Sequence, residues 1–166
     1  MGTAVVTVVA QHAETIVFDR DALLERACEL IVDAGQAGAG WIIFPELYLP
    51  GAPAWLWSGP DDGLANELQA LALTYAVVIP SDVSDRLCRV AQRSRVGVAM
   101  GLVERDNGTC YNSLLIINAE GRICGHYRVP LEAGSQQRPW TPVNSSILLP
   151  SERLHSTKDW TNVGGI

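Results

Sequence analysis

The order of elements predicts an α/β fold, a mixed β-sheet with helices on at least one face. Apolar runs at residues 3–10 (TAVVTVVA), 41–44 (WIIF) and 96–103 (VGVAMGLV) are nearly continuous rather than alternating, as expected of strands covered on both faces. Helical patterns separate these runs, which favours parallel strands joined by crossovers. Beyond residue 103 the helical pattern stops and turn signals alternate with short strand-like stretches, so the sheet should finish as an antiparallel meander.

Residues 3–10 form the first predicted strand, and residues 11–17 a polar loop. A helix starts near Asp19 or Asp21, because acidic residues suit a helix N-terminus. Leu23, Ala27, Leu30 and Ile31 make its apolar stripe, while Arg20, Glu25, Arg26 and Glu29 lie on the other side. Gly35, Gly38 and Gly40 end it and lead into the strand at 41–44. That strand is expected to be buried on both faces and to stop at Pro45, which has no N–H for a ladder.

Glu46 follows at once, a lone carboxylate where a sheet gives way to a loop. The crevice outside the C-terminal ends of strands is the usual ligand position in α/β sheets, so Glu46 is a candidate acid or base. A carboxylate that only ties down its own turn fits the position equally well. Residues 49–62 form a loop rich in Pro, Gly and Trp. Trp55 and Trp57 could line a ligand pocket, meet a partner subunit or simply pack the loop.

Residues 67–76 form the next helix and 77–80 a short extended piece. Ser81 or Asp82 caps a third helix, whose buried stripe is Val83, Leu87, Val90 and Ala91. The strand at 96–103 ends before Glu104 and Arg105, a pair expected to form an ion pair or loop anchor. Asp106-Asn107-Gly108 is a strong hairpin signal, so 109–117 should return antiparallel. A turn at 118–121 leads to a last strand at 122–128. Thereafter prolines recur among polar residues, and 129–166 reads as a divergent tail attached to the patterned region 1–128.

Composition limits the functional classes. A chain of 166 residues with 48% hydrophobic content can bury a substantial core. The apolar stretches at 71–79 and 114–117 are interrupted or short, so no membrane partner is expected, and residues 1–10 lack the basic start of a signal peptide. A cytoplasmic protein is the expectation. The net charge is −6 and the 12 basic residues are dispersed, which argues against nucleic acid. Cys28, Cys88, Cys110 and Cys124 contain no CxxC and read as small buried hydrophobes rather than metal ligands. No cofactor is implied.

The ordered segments Phe44-Pro45-Glu46, Leu49-Pro50-Gly51, Pro53 and Trp55-Leu56-Trp57 resemble the carbon–nitrogen hydrolase superfamily, its nitrilase branch most closely. The likeness continues through Met100-Gly101, Glu104-Arg105-Asp106, residues 108–114 (GTCYNSL), Gly121-Arg122-Ile123 and His126-Tyr127-Arg128. It is weaker at Trp140-Thr141-Pro142 and at residues 163–166. The resemblance implies an α-β-β-α sandwich, here incomplete, and subunits that pair through helices. It also implies hydrolysis of nitrile or amide carbon–nitrogen bonds by a cysteine nucleophile, a glutamate base, a charge-stabilising lysine and a supporting second glutamate.

Of that set, Glu46 carries over, because it stands in the matching FPE. Val129 stands where the family has its lysine, and Gln136 where it has the second glutamate. Residue 166 falls short of the expected cysteine. Lys158, the single lysine, lies in a polar stretch beyond Trp140, and Arg128 has the wrong shape to replace a lysine. Cys110 and Cys124 lie on strands that do not perform the family's chemistry, and His12, His126 and His155 are scattered. The expectation is a nitrilase-family protein that is catalytically incomplete as written. Its partners would be a nitrile or amide if it is active, and further copies of itself in an oligomer. The alternatives are a non-enzymatic module that associates with full-length nitrilase subunits, or an amidase-like enzyme with a rearranged tail.

Overall fold

The computed structural model describes residues 8–10, 19–51 and 63–131. In chain order these form β1 (Val8–Ala10), α1 (Arg20–Gln36), β2 (Trp41–Ile43), α2 (Gly63–Tyr75), α3 (Asp82–Ser94), β3 (Gly97–Asp106), β4 (Thr109–Ile117) and β5 (Ile123–Pro130). The predicted tail, the Trp55 and Trp57 loop, His12, Gln136, His155 and Lys158 lie outside the described residues. The strands make one sheet in the order β1-β2-β3-β4-β5. Pairing is parallel across β1, β2 and β3 and antiparallel across β3, β4 and β5. It is the mixed sheet that the sequence predicts.

Local chemistry accounts for the element ends. Asp19 caps α1, its carboxylate accepting the Ala22 N–H at 3.0 Å. Ser81 is the N-cap residue of α3, one of the two expected there, and Ser84 at the third helical position completes a capping box with it. The Ser84 hydroxyl accepts the Ser81 N–H at 2.9 Å and donates to the Ser81 carbonyl at 2.8 Å. The β3–β4 hairpin turns on Asn107 and Gly108, at φ 48° and 79°. Two successive positive φ values match the right-handed twist of the flanking strands and suit Asn-Gly.

Alternation divides the sheet into two unlike faces. Val98, Met100, Leu102, Leu115 and Ile117 belong to a buried core with Leu23, Leu24, Ala27, Ile31, Val83, Leu87 and Ala91 of α1 and α3. On the opposite face, Trp41, Ile43, Ala99, Leu114, Ile116, Tyr127 and Val129 are all half-buried. Burial of β2 on both faces is therefore corrected. Ile42 is fully buried against the helical layer, whereas Trp41 and Ile43 face the more open side.

β3 also runs to Asp106 rather than ending at residue 103, and β5 continues to Pro130. Polar residues disguised the end of β3, because the burial of Glu104 depends on distant partners.

Candidate functional site

Glu46 lies three residues past the end of β2, on a turn fastened at both ends to β3. The Phe44 N–H donates to the Ala99 carbonyl at 2.8 Å, and the Val103 N–H donates to the Leu49 carbonyl at 2.7 Å. Residues 45–48 thus leave the lane beside β3 and return to it. Gly101 makes this excursion possible. A Cβ there would meet the Pro45 carbonyl oxygen at 2.2 Å and the Glu46 Cα at 2.8 Å. Leu47 holds a left-handed φ of 56° with its side chain buried against Ala72, Ala76, Val103 and Cys110. A branched residue in that region costs roughly 1–2 kcal/mol. The buried side chain and the bonds to β3 hold the strained turn in place.

The Glu46 side chain is exposed, yet its carboxylate accepts a hydrogen bond from Nδ2 of Asn112 on β4. The bond joins positions 66 residues apart and spans β3 above Gly101. Asn112 pairs with Val103 on one side and Val129 on the other. Directly opposed residues share a face, so Val129 lies on the same surface as the Asn112 side chain. The other amide atom, Asn112 Oδ1, is buried and has no hydrogen-bond partner among the described residues. In the sequence Asn112 stands within the segment GTCYNSL, with nothing local to mark a role for it. A polar side chain amid the apolar residues of one strand face was the signal available.

The reverse face holds a second polar group. Glu104, only 1% exposed, has its Oε2 2.6 Å from both the Ser113 hydroxyl and His126 Nε2, and its Oε1 3.1 Å from Arg128. Arg128 also bonds Asp106 at 2.9 Å and stacks over the Tyr111 ring at 4.6 Å. Burial alone would raise the Glu104 pKa, but hydrogen bonds from His126 and Ser113 and the charges of His126 and Arg128 outweigh it and hold the carboxyl below its usual range. The expected Glu104–Arg105 pair is corrected, because Glu104 turns inward and Arg105 is exposed. Ser113 donates to this carboxylate, but both side chains are buried, so the hydroxyl is out of reach of a ligand.

The thiols are free, and burial pushes all four upward in pKa. None is activated as a thiolate. The described side of the site therefore offers an oriented carboxylate and an amide, with no nucleophile close by among the described residues.

Comparison with known proteins decides the ancestry of this arrangement. A family model described as carbon-nitrogen hydrolase matches residues 5–138. The chain belongs to the carbon–nitrogen hydrolase family. Among curated relatives, it is 35% identical over 151 residues to Nitrilase 2 from an unknown prokaryotic organism, covering 89% of this chain and 48% of that one. It is 37% identical over 122 residues to an arylacetonitrilase of Aspergillus niger, covering 73% of this chain and 35% of the relative. This carbon–nitrogen hydrolase chain thus spans about half or less of the relatives' length. Solved structures agree on the fold. A carbon-nitrogen hydrolase from Helicobacter pylori G27 superimposes with a TM-score of 0.50 at 19% identity, covering 74% of this chain and 39% of that one. An amidase from Nesterenkonia sp. AN1 gives 0.56 at 12% identity, covering 74% and 43%. The fold is an incomplete nitrilase-like one.

Proposed function

We propose that this chain carries the glutamate-bearing part of a nitrilase site, with Glu46 as the inherited general base and a nitrile or the corresponding amide as substrate class. The observation that supports this most directly is the Glu46 turn. Its backbone is fastened to β3 and its carboxylate to Asn112 on β4, and the side chain is exposed beside a sheet face, where a base could reach a ligand. The curated relatives are called nitrilase and arylacetonitrilase, which favours the nitrilase branch.

With Val129 and Gln136 at the positions that match the family's lysine and second glutamate, the 166 residues by themselves are expected to lack significant nitrile-hydrolysing activity. Members of one catalytic unit act together, and loss of any of them costs orders of magnitude in rate. The test is ammonia release by the purified 166-residue chain from phenylacetonitrile, benzonitrile and their amides. The expected result is no turnover above that of Glu46→Gln. Turnover that Glu46→Gln abolishes would overturn the inactivity and retain the base.

One observation favours a second reading, a non-enzymatic module that binds another chain. Trp41, Ile43, Leu114, Ile116, Tyr127 and Val129 present a half-exposed apolar sheet face, of the sort that packs against a second layer. On this reading the chain self-associates or joins full-length nitrilase subunits in the cytoplasm, a compartment in keeping with free thiols. Sedimentation as a monodisperse monomer with a cooperative melt, alone and mixed with a nitrilase, would rule it out.

A further inference from the structure

We infer that Asn112 is a positioning residue of this site, one that holds Glu46 through its amide N–H and leaves its carbonyl open to a donor introduced at position 129. The inference rests on the reading of Glu46 as the base. Nothing in the secondary structure requires an amide at this place. Asn112 lies mid-strand between Val103 and Val129, on a face otherwise formed by Leu114, Ile116 and Tyr127.

The bond to Glu46 fixes how the amide is turned. Nδ2 must point at the carboxylate, because the opposite orientation would set oxygen against oxygen. That choice strands Oδ1, which is buried without a partner among the described residues. An unmet buried acceptor is costly, and interiors seldom keep one without a reason. Holding Glu46 over Gly101 supplies that reason. Without this bond the carboxylate would hang from an exposed turn, free to rotate among rotamers.

The stranded oxygen also says where the arrangement is unfinished. The residue paired with Asn112 on its β5 side is Val129, which shares its face and whose side chain has no hydrogen to donate. A lysine at 129 would bring an ammonium toward two acceptors, Asn112 Oδ1 and the Glu46 carboxylate. Such a group is ordinarily penalised on an apolar, half-buried face, and here it would be tolerated.

Two measurements on the full chain test this. In the first, the side-chain couplings of the Glu46 γ-methylene are recorded by NMR for the parent and for Asn112→Leu, alongside thermal melts. The expected result is one defined rotamer in the parent, averaged couplings in Asn112→Leu, and a Tm equal to or above the parent's because the stranded oxygen has gone. Unchanged Glu46 couplings, or a Tm drop like that of a core cavity, would overturn the inference by making Asn112 merely structural. Should Asn112→Leu not fold, Asn112→Ser, too short to reach Glu46, gives the same readout. In the second, Val129→Lys is made in the parent, in Asn112→Leu and in Glu46→Gln. Val129→Lys should cost several degrees more in each variant background than in the parent. An equal cost in the parent and in Asn112→Leu would overturn the proposed docking of a donor on Oδ1. The base reading fails separately, if a nitrilase assembled with this chain keeps its turnover in Glu46→Gln, and the Asn112 results stand whichever way that falls.

Discussion

His126 Nε2 lies 2.6 Å from Oε2 of Glu104, a carboxylate that is 1% exposed. A histidine from the last described strand thereby shares the charge of an acid near the end of β3, with β4 between them. The contact joins residues 22 apart in sequence and ties the meander together at the level of side chains.

Acid stability should follow Glu104. Its folded pKa lies below the ordinary glutamate value, despite burial, because His126, Ser113 and Arg128 favour the charged form. Its contribution is therefore complete above the unfolded pKa and is lost as pH falls through the lower folded value. Melts between pH 3 and 7 should show stability declining below about pH 4.3. Glu104→Gln should cost about 2 kcal/mol at neutral pH and flatten the acid limb. An acid limb as steep as the parent's would refute this.

Gly101 should tolerate no side chain. Gly101→Ala drives a Cβ into the backbone of Pro45 and Glu46 and should destabilise by about 1–3 kcal/mol. The NMR contact between Glu46 and Asn112 should vanish with it. Gly108→Ala is the control. It has a φ of 79° but nothing within 4 Å, so it should lose about 1 kcal/mol and leave the Glu46 contact intact.

Arg95 caps α3 in the left-handed region at φ 56° and is exposed. Glycine suits that position. Arg95→Gly should stabilise by about 0.5–1 kcal/mol, the strain relieved being larger than the chain entropy gained by the unfolded state. A lowered Tm would count against it.

Thiol chemistry should be slow. Burial raises the pKa of Cys28, Cys88, Cys110 and Cys124, so alkylation by iodoacetamide at pH 7.5 should lag behind a free thiol at every site. Cys28 and Cys110, the buried pair, should react only as fast as the protein opens. Mass spectrometry of the labelled peptides measures each rate. Rapid labelling of either buried thiol would contradict the burial.

Legibility in the sequence followed how local each cause is. The Asn107-Gly108 hairpin and β4 at residues 109–117 were readable because the turn dictates its own backbone. Asp19 announced α1 for a similar reason. Glu104 was misread because its partners are Ser113, His126 and Arg128, which only the folded meander gathers. The open face of β2 was likewise hidden. An apolar run signals a wish for cover on both sides without saying whether the cover is there. α2 begins at Gly63, earlier than the predicted 67. Glu46 was legible as a candidate from its motif, but Asn112 was not, since the bond between them is made across a third strand.

The two-residue turn at Asn107-Gly108 also bears on the order in which the molecule assembles. β3, β4 and β5 are joined by short connections, so their pairing closes small loops at little entropic cost. β1 and β2 can add to β3 only after much longer segments of chain have been brought together. Pulsed hydrogen exchange during refolding should therefore protect the Leu114 and Leu115 amides before that of Phe44, whose bond to Ala99 is one of the two that fasten the Glu46 turn. Simultaneous protection would overturn this order. If it holds, the turn that carries the Glu46 carboxylate is among the last parts of the described fold to be put in place.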